Sequence, residues 1–285
     1  MKPHRQRCTD HHERGFTLLE AVLVIALTGI VAAMVGVFVR QPINAYVDEA
    51  RRAELGDSAD TALRRAGREL ARSLPNSVRV DPSGSFLEFV PVKDSGRYRA
   101  APAADGSGDF LDFDTPGDDT FDVLGPPVAA VAGDALVVYN LGLPGADAYA
   151  GDTRRPLLAF GSALASLHFS ATAGVFPFPS PSNRFQIVGA PVTLACAPAA
   201  AGTGSLRRYT GYGFGAAQPV DAAAAPLAGL GGTGNSVLAD KVSACSFAFS
   251  PGASARTGLV TMRLTLESGG ERVSLLHQAH VDNSP

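Results

Sequence analysis

The chain begins with a polar segment and then becomes apolar over a long stretch. Phe16 to Val39 comprises 24 residues, and Glu20 is the one charged residue among them. As an α-helix that rises 1.5 Å per residue, this stretch would be about 36 Å long, enough to cross a bilayer. The pattern therefore predicts one membrane-spanning helix. Pro42 follows, where a proline would kink or interrupt a helix that continues.

A second helical pattern extends from Asn44 to Leu74. Apolar and small residues recur there every three or four positions, which places them on one helix face. This stripe consists of Leu55, Ala59, Ala62, Leu63, Ala66, Leu70 and Leu74. The pattern predicts an amphipathic helix that packs one side on a globular body and stops at Pro75. A free coiled-coil stalk fits less well, because the stripe contains few large residues.

From Val78 onward, short apolar runs and alternating patterns indicate β-strands. The clearest is Leu259 to Glu267, where every second residue from Val260 is apolar, and residues 272–281 follow it as a hairpin partner. Further strands are predicted at 86–92, 135–139 and 185–188. The Gly-, Pro-, Asp- and Ala-rich stretches at 101–119, 141–156, 171–182 and 198–235 predict long surface loops. The expected fold class is α+β: a long N-terminal helix, half transmembrane and half amphipathic, packed on an antiparallel β-sheet head.

Composition supports a folded protein without a nucleic-acid partner. The chain has 285 residues, 46% hydrophobic, with 31 Gly and 20 Pro, which suits a loop-rich β fold. Its net charge of −3 and the absence of a basic stripe argue against binding to a phosphate backbone. No nucleophile motif and no phosphate-binding loop is present, so the sequence does not indicate an enzyme and implies no cofactor.

The three cysteines fall on two sides of the predicted membrane helix. Cys8 precedes the helix, on the side that its basic neighbours place in the reducing cytoplasm, whereas Cys196 and Cys245 follow it. In an oxidising compartment, paired thiols form disulfides. We therefore predict a Cys196–Cys245 disulfide that stabilises the head by about 3–4 kcal/mol. The alternative is two free buried thiols.

Two further clusters have a chemical and a structural interpretation. Seven aspartates lie between Asp105 and Asp122, and Asp112, Asp114 and Asp118 are weak candidates for a Ca²⁺ site. Their spacing does not match an EF-hand loop, and a solvated acidic loop is favoured, so no metal site is predicted. His277 and His280 are three residues apart on a predicted strand and should face opposite sides. The aromatic segment Tyr209–Phe214 fits a binding surface and a packed strand and turn equally well.

Glu20 is the residue that a simple membrane anchor does not explain. A carboxylate within a membrane segment is costly and usually has a partner and a function. A secretory signal peptide would have a small-residue cleavage site after the apolar core, and residues 38–42 do not provide one.

Residues 15–20 read Gly-Phe-Thr-Leu-Leu-Glu, and about twenty apolar residues follow. This segment resembles the type IV prepilin signature, which pilins share with type II secretion pseudopilins. The resemblance implies cleavage between Gly15 and Phe16 by an inner-membrane prepilin peptidase, which would then methylate the Phe16 amine. Glu20 would pair with the Phe16 ammonium of a neighbouring subunit, since two opposite charges away from water satisfy each other. The implied partners are other pilin subunits, the peptidase/methyltransferase and the inner membrane.

The resemblance divides the chain into a cleaved leader at 1–15, a transmembrane and filament-core helix at 16–41, an amphipathic helix at 42–75 and a pilin-like β-rich head at 76–285. Shorter segments are similar to MshO-type minor pilins of mannose-sensitive haemagglutinin pili: 47–55, 60–65, 74–79 and 277–282. They imply a low-abundance subunit at or near the pilus tip that initiates assembly or supports adhesion. The expected location is the inner membrane, then the periplasm or the extracellular pilus of a Gram-negative bacterium. A pseudopilus tip subunit and a plain membrane-anchored periplasmic protein remain as alternatives.

Overall fold

The computed structural model describes residues 15–251 and 256–285. The predicted leader at 1–15, with the exception of Gly15, lies outside the described residues. The chain forms two compact units, the second of which runs from Arg52 to Pro285. An apolar N-terminal helix, α1 (Leu18–Leu70), is followed by antiparallel β-sheets, so the predicted α+β class is confirmed at this level.

Fifteen strands are assigned within the described residues. They are β1 (Arg79–Val80), β2 (Phe86–Phe89), β3 (Val92–Tyr98), β4 (Thr120–Leu124), β5 (Val128–Ala130), β6 (Ala135–Val137), β7 (Arg154–Pro156), β8 (Gly161–Leu164), β9 (Ser166–His168), β10 (Arg184–Val188), β11 (Val192–Ala197), β12 (Gly204–Thr210), β13 (Asn235–Pro251), β14 (Thr257–Ser268) and β15 (Glu271–Asp282).

The strands form two main sheets and a small third one. The seven-stranded sheet has the order β1-β2-β11-β12-β13-β14-β15, and the six-stranded sheet has the order β7-β6-β10-β3-β4-β9. β5 and β8 pair separately. All of these pairs are antiparallel.

The stripe of apolar and small residues predicted from the sequence is buried. Each of its seven side chains, from Leu55 to Leu74, is 2% exposed or less. The six stripe residues up to Leu70 belong to one hydrophobic cluster with side chains of the seven-stranded sheet, including Val260, Met262 and Leu264. Because three of the six are alanines, the helix backbone can lie close to the side chains of the sheet.

Ion pairs surround this cluster along the second unit's part of α1. Glu69 accepts a bond from Arg208 of β12 at 2.7 Å, and Lys241 of β13 donates to Glu54 at 3.0 Å. Arg52 pairs with Glu271 at the start of β15. These pairs connect the helix segment with three different strands of the same sheet.

The helix boundaries differ from the prediction. α1 continues through Pro42 without interruption and ends at Leu70, four residues before the predicted end. The backbone turns at Ala71, and Ser73 forms an isolated bridge with Pro91. Leu74 is buried in a hydrophobic cluster with Val90 and Val137. Its N–H donates to the Val90 carbonyl at 2.7 Å, so residues after the helix pair with the chain that leads into β3.

The predicted hairpin at the C-terminal end is confirmed. β14 and β15 pair over twelve positions, from Thr257 opposite Asp282 to Ser268 opposite Glu271. Two glycines form the turn, and both have positive φ, +58° at Gly269 and +88° at Gly270. Positive φ at both central positions characterises a type I′ turn, whose twist matches that of the flanking strands.

The prediction of a loop at 198–235 is wrong for the first part of this range, because β12 lies there, in the interior of the seven-stranded sheet. In the sequence from Ser205 to Arg208, Leu206 is the one apolar residue, so the alternation that is typical of a strand is missing. β7 similarly occupies the end of the loop predicted at 141–156. Residues 101–119 contain no strand, as predicted.

β13 extends beyond its pairing with β12, which ends at Val242 opposite Gly204. The Phe247 N–H donates to the Gly84 carbonyl at 2.8 Å, so β13 also meets the turn between β1 and β2. Gly84 has a φ of +71°, and a Cβ there would lie 2.9 Å from the Phe247 carbonyl oxygen. This close approach requires glycine.

Cys245 lies in this extended part of β13, next to Cys196 of β11, although β12 lies between the two strands in the sheet order. The two residues form the predicted disulfide, with Cα atoms 5.9 Å apart and a sequence separation of 49. Cys196 is a member of the same hydrophobic cluster as the α1 stripe, and Cys245 packs against this cluster.

We expect the Leu63→Ala variant to lower the free energy of unfolding of the head by about 2–5 kcal/mol, because a buried leucine is truncated between helix and sheet. Thermal and urea unfolding of the full chain in detergent, followed by the β-sheet circular dichroism signal, measures this loss. The exposed neighbour Arg64 provides the control: Arg64→Ala removes only a surface pair with Asp60 and should cost about 1 kcal/mol or less. Equal effects of the two substitutions would contradict the assigned stripe.

We expect the double variant Cys196→Ser/Cys245→Ser to have a free energy of unfolding about 3–4 kcal/mol lower than that of the wild type. Without the cross-link, the unfolded chain has more conformational entropy. Thiol titration of the denatured protein checks the bond directly. Cys8→Ser should leave the stability unchanged, since Cys8 precedes the helix. A double variant as stable as the wild type would show that the bridge does not stabilise the fold.

Candidate functional site

The junction between the polar segment and α1 is built on a helix cap. Gly15, Phe16 and Thr17 precede the helix, which begins at Leu18. The Thr17 hydroxyl oxygen accepts a hydrogen bond from the Glu20 N–H at 3.2 Å, and the Thr17 carbonyl accepts one from Ala21 at 3.1 Å. Threonine is a preferred N-cap residue because its side chain satisfies an N–H group that has no partner in the first turn.

Glu20 lies in the first turn of α1, three residues after the cap. The spacing Thr-x-x-Glu is that of a capping box, and a negative side chain at this end also interacts favourably with the helix dipole. The sequence interpretation considered only a partner in another subunit and missed this local contribution, although the four-residue pattern Thr17-Leu-Leu-Glu20 shows it. The cap thus satisfies the backbone N–H of Glu20 within the helix, and the position of the residue in the first turn suits its negative charge.

The apolar side chains that follow are exposed. Phe16 is 77% exposed, and the large apolar residues of the segment after it are exposed as well. They are Leu18, Leu19, Val22, Leu23, Val24, Ile25, Leu27, Ile30, Val31, Met34, Val35 and Phe38. The stretch Leu18–Gly36 is long and apolar enough to cross a membrane, and none of it is buried. Such a surface is stable only in lipid or against other apolar helices.

The aspartates proposed as weak Ca²⁺ ligands bind backbone groups of their own loop. Asp112 accepts from the N–H groups of Asp114 at 2.8 Å and Thr115 at 3.2 Å, and Asp118 accepts from the N–H of Asp112 at 2.7 Å. The bond from the Asp114 N–H is the main cause of the lowered pKa of Asp112, whereas burial raises the pKa of Asp118. Across residues 15–251 and 256–285, no group of three or more His, Cys, Asp or Glu is arranged to hold a metal ion.

The two histidines of β15 lie on opposite faces, as predicted. His277 is half-buried beside Gly67 of α1, and His280 is exposed. Of the aromatic segment, Tyr209 and Tyr212 are buried, and the ring of Phe214 packs near that of Tyr149 with centroids 6.3 Å apart. The segment is thus part of the packing of the head.

The packing around this segment depends on a buried carboxylate that the sequence analysis missed. Glu88 of β2 is 0% exposed and accepts from Arg79 at 2.6 Å and from the Tyr212 hydroxyl at 2.9 Å. The Tyr212 oxygen also contacts the Thr193 hydroxyl at 2.5 Å. Burial raises the pKa of the Glu88 carboxyl above its ordinary value, while Arg79 and Tyr212 act against this shift.

Arg79 extends the network to the loop after β12. Its guanidinium donates to the carbonyl groups of Gly215, Ala216 and Ala217 and lies 3.7 Å from the centroid of the Tyr149 ring. Sequence alone gives no signal for this cluster, because its members come from positions up to 138 residues apart.

We expect Glu88→Gln to destabilise the head by about 1–3 kcal/mol at pH 5, because the amide replaces one of the two oxygens that accept from Arg79 and Tyr212 with an NH₂ donor. The raised pKa means that native Glu88 binds a proton more readily than the unfolded chain does. The wild type therefore gains stability relative to the variant as the pH falls from 7 toward 4.5, the ordinary value for glutamate. Urea unfolding at a series of pH values measures the difference.

The control for this titration is Glu267→Gln, which removes a surface pair with Arg272 at the β14–β15 hairpin. It should change the unfolding free energy by about 1 kcal/mol or less at every pH. A Glu88→Gln difference that stays constant with pH, or that shrinks as the pH falls, would contradict the assigned sign.

Comparison with known proteins identifies the N-terminal junction. Residues 10–36 match the family model of the prokaryotic N-terminal methylation motif, which includes Gly15, Phe16, Glu20 and most of the exposed apolar stretch. No curated protein and no solved structure matches the chain. The motif supports a type IV pilin-like structural protein and implies processing by a prepilin peptidase and assembly with other pilins. Together with the exposed apolar helix, it fits membrane anchoring followed by incorporation into a filament.

Proposed function

We propose that this protein is a minor pilin, cleaved between Gly15 and Phe16, methylated at the Phe16 amine and incorporated at or near the tip of a type IV pilus. The observation that carries the proposal is the coincidence of the methylation motif at residues 10–36 with a helix whose apolar side chains are exposed from Leu18 to Gly36. The motif provides the processing signal, and the exposed stretch provides the surface that other subunits cover.

In this proposal the chain has four parts. Residues 1–15 are the leader, 16–41 the filament-core helix, 42–75 the helix that packs on the head, and 76–285 the head. Among the described side chains of α1, buried positions begin at Leu55, inside the proposed 42–75 segment, so the contact with the head starts there.

Glu20 acts in assembly as the counter-ion of a neighbouring subunit. Cleavage exposes the Phe16 amine, which is positively charged at neutral pH. When helices stack away from water, this ammonium and the Glu20 carboxylate of the adjacent subunit neutralise each other, whereas each charge alone would be penalised. The pairing sets the axial position of each subunit.

The size of the head favours the end of the filament. About 210 residues follow the helical stem, and a head of this size would crowd a densely packed shaft. The segments similar to MshO-type minor pilins support a mannose-sensitive haemagglutinin type pilus, on the surface of a Gram-negative bacterium. There the subunit would initiate assembly or support adhesion.

A type II secretion pseudopilin at the tip of a pseudopilus is the second candidate, because pseudopilins share the N-terminal signature. Deletion of the gene distinguishes the two: a pilus subunit is required for piliation, and a pseudopilin is required for secretion of exoproteins. The plain membrane-anchored protein would keep residues 1–15.

We expect Glu20→Ala to be processed normally but to be incorporated into filaments at least tenfold less efficiently than the wild type, because the Phe16 ammonium loses its partner. Mass spectrometry measures processing, and immunoblotting of sheared filaments measures incorporation. Glu54→Ala is the matched control, since Glu54 is an exposed glutamate of the same helix that pairs with Lys241. Normal incorporation of the Glu20 variant would overturn the pairing mechanism.

We expect Gly15→Val to block cleavage, because a branched side chain next to the scissile bond obstructs the peptidase. The variant should retain residues 1–15 and an unmethylated Phe16, whereas the wild type should begin at methylated Phe16. Intact-mass measurement of the membrane-extracted protein separates the two forms. A wild-type protein that begins at Met1 would overturn the proposed function.

A further inference from the structure

A cleft of about 740 Å³ lies on the head, between the segment that follows α1, strands β3 and β10, and the C-terminal residues. All of its lining residues belong to the unit from Arg52 to Pro285. The Arg72 carbonyl accepts from the Val92 N–H at 2.9 Å, which fixes the first of these segments beside β3.

Four basic side chains line this cleft: Arg72, Lys93, Arg97 and Arg184. Lys93 pairs with Asp134. The three arginines are exposed, and their side chains make no hydrogen bond or ion pair with the described residues.

Asp94 and Asp282, the acidic side chains of the cleft, form no ion pair with these arginines within the described residues. Asp94 accepts from the N–H groups of Ser95 and Ala129, both at 2.8 Å, and Asp282 accepts from the N–H of Ser284 at 2.8 Å. Both carboxylates therefore bind backbone donors instead of the arginines.

Two of the arginines are held directly opposite each other. Arg97 of β3 and Arg184 of β10 are register partners in an antiparallel pair, so their side chains share one face of the six-stranded sheet. Like charges in directly opposite positions destabilise a sheet. The folding of the head does not explain this pair, but the binding of an anion does.

A third residue of the same face is also unsatisfied. Gln186 lies two positions after Arg184, opposite Ser95, and lines the cleft. It is 8% exposed, and its buried amide oxygen has no hydrogen-bond partner. A buried polar atom without a partner is costly, so the site is incomplete as it stands.

We infer that this cleft binds an acidic polypeptide segment of a partner subunit. Arginine pairs with carboxylates through two parallel hydrogen bonds, and Arg97 and Arg184 together offer two such forks. A peptide also provides N–H donors for the Gln186 oxygen, which inorganic phosphate or sulfate without a proton does not. The assignment of the peptide to a pilus subunit rests on the proposed function. The assignment of an acidic ligand to the cleft is independent of it.

The test uses the full chain in detergent micelles and a fluorescein-labelled peptide with four Glu-Gly repeats. Fluorescence anisotropy at low salt should show saturable binding, which weakens as the salt concentration rises. The same peptide with Gln in place of Glu should bind at least tenfold more weakly. The double variant Arg97→Gln/Arg184→Gln should also raise the Kd for the Glu-Gly peptide at least tenfold.

Arg263→Gln is the matched control. Arg263 is an exposed arginine of β14, in the other sheet, and its removal changes the net charge without touching the cleft. It should change the Kd less than twofold. Because the arginines of the cleft repel each other, the thermal midpoint of the double variant should equal or exceed that of the wild type.

Three results would overturn the inference: no binding of the acidic peptide, an equal loss in the Arg263→Gln control, or a thermal midpoint of the double variant below that of the wild type. Stronger binding of a polygalacturonate oligosaccharide than of the peptide would assign the cleft to an acidic glycan and overturn the peptide assignment. If the wild-type protein binds the peptide but keeps residues 1–15 in cells, the assignment of the cleft as a peptide site stands. Only the assignment of the partner as a pilus subunit is then refuted.

Discussion

The burial of one face of α1 is the interaction on which the rest of the head depends. The stripe from Leu55 to Leu70 belongs to one hydrophobic cluster with buried side chains of the seven-stranded sheet, among them Val260, Met262 and Leu264. The surrounding pairs with Arg208, Lys241 and Glu271 act at the edge of this contact and contribute less than the burial itself.

The same helix meets a different environment in its N-terminal half. There every large apolar side chain described is exposed, and the hydrophobic effect acts toward a lipid bilayer or toward neighbouring helices instead of a sheet. One continuous helix thus has two apolar surfaces. The chain itself buries the C-terminal one, whereas the N-terminal one stays exposed. This division is what a subunit that moves from membrane to filament needs, because the exposed half has to remain available to both environments.

Sequence periodicity predicted the parts of the fold that depend on local contacts. The spacing of Ala59, Ala62 and Ala66 revealed the buried face of α1, and the alternation from Val260 to Leu266 revealed β14. The end of α1 and the strand β12 were not predicted, because both depend on pairing between residues far apart in the sequence. Ser73 pairs with Pro91, and β12 pairs with β11 and β13. The motif around Glu20 could be identified from six residues. The facing arginines could not, since nothing in the sequence sets the register that brings Arg97 to Arg184.

The disulfide has a consequence for the protein under tension. A filament that is pulled loads its subunits mechanically, and a subunit that gives way extends by the contour length of the chain it releases. Cys196 and Cys245 are separated by 49 positions, and the bond between them withholds the intervening chain from extension. At about 3.4 Å per extended residue, the subunit lengthens by about 170 Å less than a reduced chain would. The covalent link thereby limits how far one failing head can stretch, even after the contacts between helix and sheet have been lost.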